Sequence, residues 1–188
     1  MQCIKDTIKN INIVIGCSIG CSYCYARMNN NRFHTIDDFN KPVFFENKLK
    51  MLDNKRNTAY LLTGQSDLSG WNEEWKDKVF SKMKENENTQ YIFLTKRPEN
   101  IKLKETPDNG WFGVTVTSSK EKTRIDYLRN NIKAKHYHIT FEPMFDDVGK
   151  LDLSNISWIV IGTETGNRKG KISSKREWVF NIYNQAKE

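Results

Sequence analysis

A chain of 188 residues, 37% hydrophobic and 28% charged, is long enough to bury a core without disulfides or a structural metal. It holds no apolar run of the roughly 18 residues that a membrane-spanning helix needs, and no apolar leader ending in small residues, so a cytoplasmic protein with no membrane partner is expected. The formal charge of +7 is a property of the surface, suited to plain solubility or to an anionic partner such as a nucleic acid or an anionic cofactor.

The first apolar run, Ile11 to Ile15, predicts a strand ending at Gly16. Cys17, Cys21 and Cys24 follow at once, and a helical pattern is expected around Pro42 to Leu52. The second run, Ala59 to Leu62, ends in Thr63-Gly64-Gln65-Ser66-Asp67. Trp71, Trp75, Val79 and Met83 then recur at i, i+4, i+8 and i+12, the period of a helix face. The third run, Tyr91 to Leu94, leaves through Thr95-Lys96-Arg97-Pro98, and the Pro-interrupted link beyond it has room for only a vestigial helix. Trp111 to Val116 is the fourth strand, followed by a helix over Ser119 to Asn130. His136 to Phe141 is the fifth, and Trp158 to Ile161 the sixth, running into Gly162-Thr163-Glu164-Thr165-Gly166 and a last helix from Arg176 to Lys187. No linker or low-complexity tract interrupts the series, so residues 1–188 read as a single domain.

Strands that mostly alternate with helices predict an α/β fold with a largely parallel sheet. A complete eight-stranded barrel takes about 250 residues. Six units in this length predict an open, partial (β/α)6 barrel. In such folds the loops leaving the C-terminal strand ends form the site, so the polar groups after each run are expected to converge.

The cysteines carry the sharpest chemistry. Soft thiolates select iron-sulfur clusters, zinc or copper. Three are one short of a four-cysteine zinc site, and no second pair of ligands lies nearby in sequence. A 4Fe-4S cluster held by three thiolates leaves one iron with an open position. Gly16 and Gly20 suit a loop folded closely about an inorganic core. Zinc and another use of a cluster stay open on spacing alone.

The spacing Cys17-x3-Cys21-x2-Cys24, with Tyr23 directly before the last cysteine, resembles the signature of the radical S-adenosylmethionine superfamily. That resemblance implies a partial barrel of radical SAM type and a 4Fe-4S cluster on Cys17, Cys21 and Cys24. It also implies S-adenosyl-L-methionine on the open iron, a flavodoxin or ferredoxin as reductant, and a 5′-deoxyadenosyl radical for hydrogen abstraction. The segments Ile13 to Arg27, Leu61 to Trp75, Tyr91 to Pro98, Trp111 to Thr117, His136 to Asp147 and Trp158 to Gly170 are similar to radical SAM mobile pair protein A. That family is encoded beside a second radical SAM protein, which becomes a partner by implication. The likeness to the phage-type radical SAM group is more distant. Relatives run on through another strand, so a C-terminal segment is expected to be missing here or naturally absent.

Carried over by position, Tyr23 matches the aromatic near the adenine. Thr63, Gly64 and Gln65 stand where the superfamily has a Gly-Gly-Glu-like element for the amino group. The third place lacks its acid, leaving Gln65, Ser66 or Asp67 as acceptor. Thr115 and Thr117 match positions that meet the ribose or carboxylate, and Gly162, Thr163 and Glu164 the region flanking the adenine. On the substrate side, Lys96 and Arg97 suit a carboxylate or phosphate, or are solvated surface. Glu142, held before Pro143, is a stronger catalytic candidate than His136 or His138, which alternate onto one strand face.

The basic run Arg168, Lys169, Lys171, Lys175 and Arg176 is a solvated face or a phosphate footprint. Phe33, Trp71 and Trp111 suit base stacking or the core equally. Cys3 stands apart, as a hydrogen-atom relay or a dispensable thiol. Three functions follow: modification or repair of a nucleic acid or nucleotide, radical chemistry on a peptide or metabolite, and a non-catalytic iron-sulfur or zinc interaction module.

Overall fold

The computed structural model describes residues 7–53 and 58–187, so Cys3 lies outside the described residues. Strands β1 (Ile8–Asn10), β4 (Ala59–Leu61), β5 (Gln90–Thr95), β6 (Gly110–Thr115), β7 (His136–Phe141) and β8 (Ile156–Ile161) form one sheet in that order. Every neighbouring pair is parallel. The result is the open, mostly parallel partial barrel expected from the strand-helix alternation. A separate antiparallel pair joins β2 (Val14–Ile15) to β3 (Val43–Phe44). The helices are α1 (Tyr25–Phe33), α2 (Glu73–Glu85), α3 (Thr123–Asn131) and α4 (Arg176–Gln185).

One sheet face packs on the helices. Tyr91, Phe93, Phe112, Val114, Ile139 and Phe141 meet Val79, Phe80 and Met83 of α2, Ile125 and Leu128 of α3, and Ile182 of α4 in a continuous core. Phe93 is its centre, stacked on Phe112 at 4.9 Å with the edges of Trp71 and Phe80 each 5.8 Å away. Alternation turns the intervening residues to the inner face. Register there aligns Asn10, Leu61, Ile92, Trp111 and His136, then Leu94, Gly113, His138 and Trp158.

Three expectations are corrected. The first sheet strand is Ile8–Asn10, three residues earlier than expected, while Val14–Ile15 leaves the sheet to pair with β3. No α-helix covers Pro42 to Leu52. Val43–Phe44 is a strand whose Phe44 stacks on Trp75 at 5.7 Å, and only Glu46–Asp53 turns, as 3-10 helix. Helix α1 was not anticipated because its sequence has three consecutive asparagines and buries only Ala26 and Asn30. Asn30 stabilises it by bonding both Ile36 N and Ile36 O at 3.0 Å. Trp71 precedes α2, which starts after Asn72 caps Trp75 N at 2.9 Å.

His138 is fully buried on the inner face with Nε2 3.0 Å from Phe93 O. A carbonyl only accepts, so Nε2 carries the proton of the neutral ring. Burial pushes its pKa down to about 4 from 6.5. The unfolded chain therefore binds the proton first as pH falls. This contribution is intact above pH 6.5 and lost between 6.5 and about 4, by roughly 3 kcal/mol in total. Urea unfolding across that interval is expected to show the decline, and a His138→Gln variant a shallower one.

Candidate functional site

The cysteine loop leaves β2 through Gly16, whose φ of +115° and approach to Pro42 and Phe39 admit only glycine. Gly16 N donates to Gln65 O at 2.9 Å and Cys17 N to Phe39 O at 2.6 Å, fixing the loop beside the exit of β4. Cys24 is the N-cap of α1, its sulfur accepting from Arg27 N at 3.4 Å. Arg27 reaches back to Cys17 O at 2.8 Å and Asn40 Oδ1 at 3.0 Å, and lies over Phe39. Beneath sit Ile15, Ala26, Ile36 and Phe39, against which Cys17 and Cys24 pack. Burial raises the pKa of the Cys17 thiol, and the nearby Asp67, Cys21 and Cys24 raise it further.

Two tyrosines connect the loop to the strand ends. Tyr25 donates to Gly64 O at 2.5 Å. Partial burial, then the charges of Cys24 and Glu142, push its hydroxyl pKa up. The Tyr23 ring meets Phe145 edge-on at 5.3 Å, with Lys96 Nζ 5.8 Å from its centre. Burial, then Cys21 and Glu121, push its hydroxyl up, while Thr117 opposes them. Thr117 itself gives N–H and O–H to Glu121 Oε2 at 2.7 and 2.8 Å.

The other expected residues take these places. Thr63 Oγ1 accepts from Leu94 N at 2.8 Å, and Ser66 Oγ from Trp71 Nε1 at 3.0 Å. Asp67 is buried, accepting from Ser69 N, Ser69 Oγ and Thr95 Oγ1 at Oδ1 and from Lys96 N at Oδ2, all within 3.0 Å. It ties the exit of β4 to that of β5. Asp67→Asn turns one acceptor into a donor among these donors and is expected to destabilise the fold by about 2 kcal/mol, read as a lower urea midpoint.

Thr115 is buried, its carbonyl accepting from Arg124. Arg97 N donates to Thr95 Oγ1 at 3.0 Å, and among the described residues its guanidinium forms no ion pair. Glu142 is exposed and precedes a cis Pro143. A Cβ on Gly162 would fall 2.7 Å from Glu142 Cδ, so glycine there lets the carboxylate lie against the end of β8. Thr163 Oγ1 accepts from Ser174 N. Glu164 is held by Arg168 through both oxygens, and that guanidinium keeps its carboxyl below the usual range.

Thus Cys17, Cys21, Cys24, Tyr23, Gly64, Asp67, Lys96, Thr117 and Glu142 fall around one mouth, while Thr115, Arg97 and Glu164 have structural partners or lie apart. Tyr25, Arg27, Glu121 and Phe145 were not foreseen. Arg27, three residues past Cys24, was recoverable from helix spacing; the others depend on which strand ends meet.

Among the described residues, no group of three or more His, Cys, Asp or Glu side chains converges on a single metal ion. A four-iron cubane takes each thiolate on a different iron, so it requires thiols around a body and not at a point. Three half-buried thiols, of which Cys17 and Cys24 rest on an apolar bed, fit that donor chemistry. No helix among the described residues is long and apolar enough to cross a membrane.

No curated protein matches the chain by sequence. Two solved structures share its fold at 12% identity, both cysteine-substituted variants of spore photoproduct lyase. The one with bound AdoMet and dinucleoside spore photoproduct gives a TM-score of 0.58 over 95% of this chain and 61% of that one. The one with the dinucleoside spore photoproduct gives 0.55 over 95% and 60%. The chain thus spans about three fifths of the length of these structures, and the likeness is a distant one of fold. A family model matches residues 2–188, and the chain belongs to the family described as protein of unknown function (DUF5131).

Proposed function

We propose that the chain is a radical SAM enzyme, with Cys17, Cys21 and Cys24 holding a 4Fe-4S cluster beside a site for S-adenosyl-L-methionine. The observation that carries the reading is the placement of three thiols on one loop at the C-terminal mouth of a parallel half-barrel. The shared fold with a radical SAM enzyme supports it. When bound, the cluster would supply one electron to cleave S-adenosylmethionine and release a 5′-deoxyadenosyl radical.

The chain's own residues prepare the site. Arg27 and the α1 N-terminus hold the cysteine loop, and Ile15, Ile36 and Phe39 exclude water beneath it. Tyr23, Thr63, Gly64, Gln65, Ser66, Asp67, Thr117, Gly162 and Thr163 are assigned to the cosubstrate, while Thr115 and Glu164, which are buried and have structural partners, are left out of that set. Lys96, beside Tyr23, binds an anionic group of the substrate, and Glu142 accepts or returns a proton at its carboxylate oxygens. We assign the nearest kinship to radical SAM mobile pair protein A, with a second radical SAM protein as partner and a flavodoxin or ferredoxin as reductant. Nucleic-acid or nucleotide modification is the favoured reaction class, because the fold is shared with an enzyme holding a dinucleoside photoproduct.

The test is anaerobic reconstitution in the presence of iron, sulfide and competing zinc, followed by metal analysis and equilibrium dialysis against S-adenosylmethionine. About four irons per chain, with retained S-adenosylmethionine, is the expected result. Zinc as sole bound metal with no retention would mark an interaction module instead.

A further inference from the structure

Helix α4 has two apolar stripes. Val179 and Ile182 pack on the core. Arg176, Phe180, Tyr183 and Lys187 recur at i, i+4, i+7 and i+11, the outward side. Phe180 is 45% and Tyr183 49% exposed, far more than packing against this chain would leave. The two rings meet edge-on at 6.2 Å. Arg176 stands 5.1 Å over Phe180, and Lys187 4.8 Å over Tyr183. The stripe is about 16 Å long at 1.5 Å per residue.

Its charge is unbalanced. Between Arg168 and Lys187 the sequence has six cations and the single acid Glu177. Arg168 is held by Glu164. Among the described residues, no ion pair takes up Lys169, Lys171, Lys175, Arg176 or Lys187. Helix α2 is the contrast: Lys76, Lys78 and Lys82 each meet an acid. Cations left without acids beside exposed rings fit a ligand that supplies both negative charge and flat apolar faces.

We infer that the outward face of α4, with Lys169, Lys171 and Lys175 on the loop before it, binds single-stranded nucleic acid. Phosphates meet the cations, and unpaired bases stack on Phe180 and Tyr183. A duplex hides its base faces. An apolar protein helix laid on the stripe would bury Arg176 and Lys187 without partners, at a cost that exceeds the contact. The loop connects this face to the mouth: Ser174 Oγ donates to Met144 O at 2.8 Å and Ser174 N to Thr163 Oγ1 at 3.0 Å, beside Gly162 and Glu142. As a statement of what the mouth acts on, this rests on the radical-enzyme reading; as a binding surface it stands independently.

The test is fluorescence anisotropy with a labelled oligothymidine and the reconstituted full chain. Four phosphate contacts at a slope of about −0.7 each weaken binding roughly 50-fold between 50 and 200 mM salt. Lys175→Gln with Arg176→Gln is expected to flatten that slope by about 1.4, and Phe180→Ala or Tyr183→Ala to weaken binding roughly fivefold or more each. Lys78→Gln with Lys82→Gln, on α2, leaves it unchanged. All these side chains are at the surface, and circular dichroism confirms that each variant folds. Absence of binding at low salt overturns the inference, as do unaltered affinity in the α4 variants, equal preference for a duplex, or capture by phosphatidylserine vesicles in place of the oligonucleotide. Oligonucleotide binding without 5′-deoxyadenosine production would leave this surface standing and remove the radical reading. The reverse pattern would do the opposite.

Discussion

Replacing Cys17, Cys21 or Cys24 by alanine is expected to abolish iron retention and, with it, any cleavage of S-adenosylmethionine. A cubane held by three thiolates has no spare ligand on the loop, where no other cysteine stands. Losing one exposes a second iron to solvent, and the iron content is expected to fall from about four per chain to near zero. Circular dichroism should stay native, because the main core lies between the sheet and the helices, while Cys17 and Cys24 pack on the smaller cluster of Ile15, Ala26, Ile36 and Phe39. Ser18→Ala, on the same loop but exposed, serves as the control. Full iron content in any of the three cysteine variants would remove that cysteine from the ligand set.

The largest loss of stability is expected from Phe93→Ala. Phe93 is wholly buried, stacked on Phe112 and edged by Trp71 and Phe80. These neighbours come from β6, from the segment before α2, and from α2 itself, so the cavity cannot close by moving one side chain. Removing a buried phenylalanine costs about 3–5 kcal/mol, against the 5–15 kcal/mol typical of a whole domain. Phe93→Leu keeps most of the volume and is expected to cost less than about 1.5 kcal/mol. Urea unfolding measures both, and a Phe93→Ala midpoint within error of the parent would contradict this placement of the core. Strand β5 ends at Thr95, which with the following Lys96 bonds Asp67, so partial opening there is expected to loosen the site.

Strands β5 to β8 were legible because each is a near-continuous apolar run, as a parallel strand covered by helices must be. The start was harder. Ile8, Ile11, Ile13, Val14 and Ile15 form one diffuse apolar stretch, and only pairing with β4 and β3 divides it into two strands in different sheets. Pro42 to Leu52 had helical spacing, yet Val43–Phe44 found a partner in β2, and tertiary pairing overrode local pattern. Helix α1 was hidden because its stabilising contact is a buried asparagine and not an apolar stripe.

At the candidate site, spacing made legible that Cys17, Cys21 and Cys24 share one tight loop past a strand. Asp67 was named as an acceptor, but its bonds to Thr95 and Lys96 depend on β4 and β5 being neighbours. Tyr25, whose hydroxyl meets Gly64 39 residues away, and Phe145, against Tyr23, follow from closure of the half-barrel. The fit of Glu142 against Gly162 likewise depends on the β7–β8 register.

The most direct measurement is 5′-deoxyadenosine formed when the reconstituted, reduced protein is incubated anaerobically with S-adenosylmethionine. Product above the level given by the Cys17→Ala variant is expected. A chain holding about four irons that yields no more product than that variant would contradict the account.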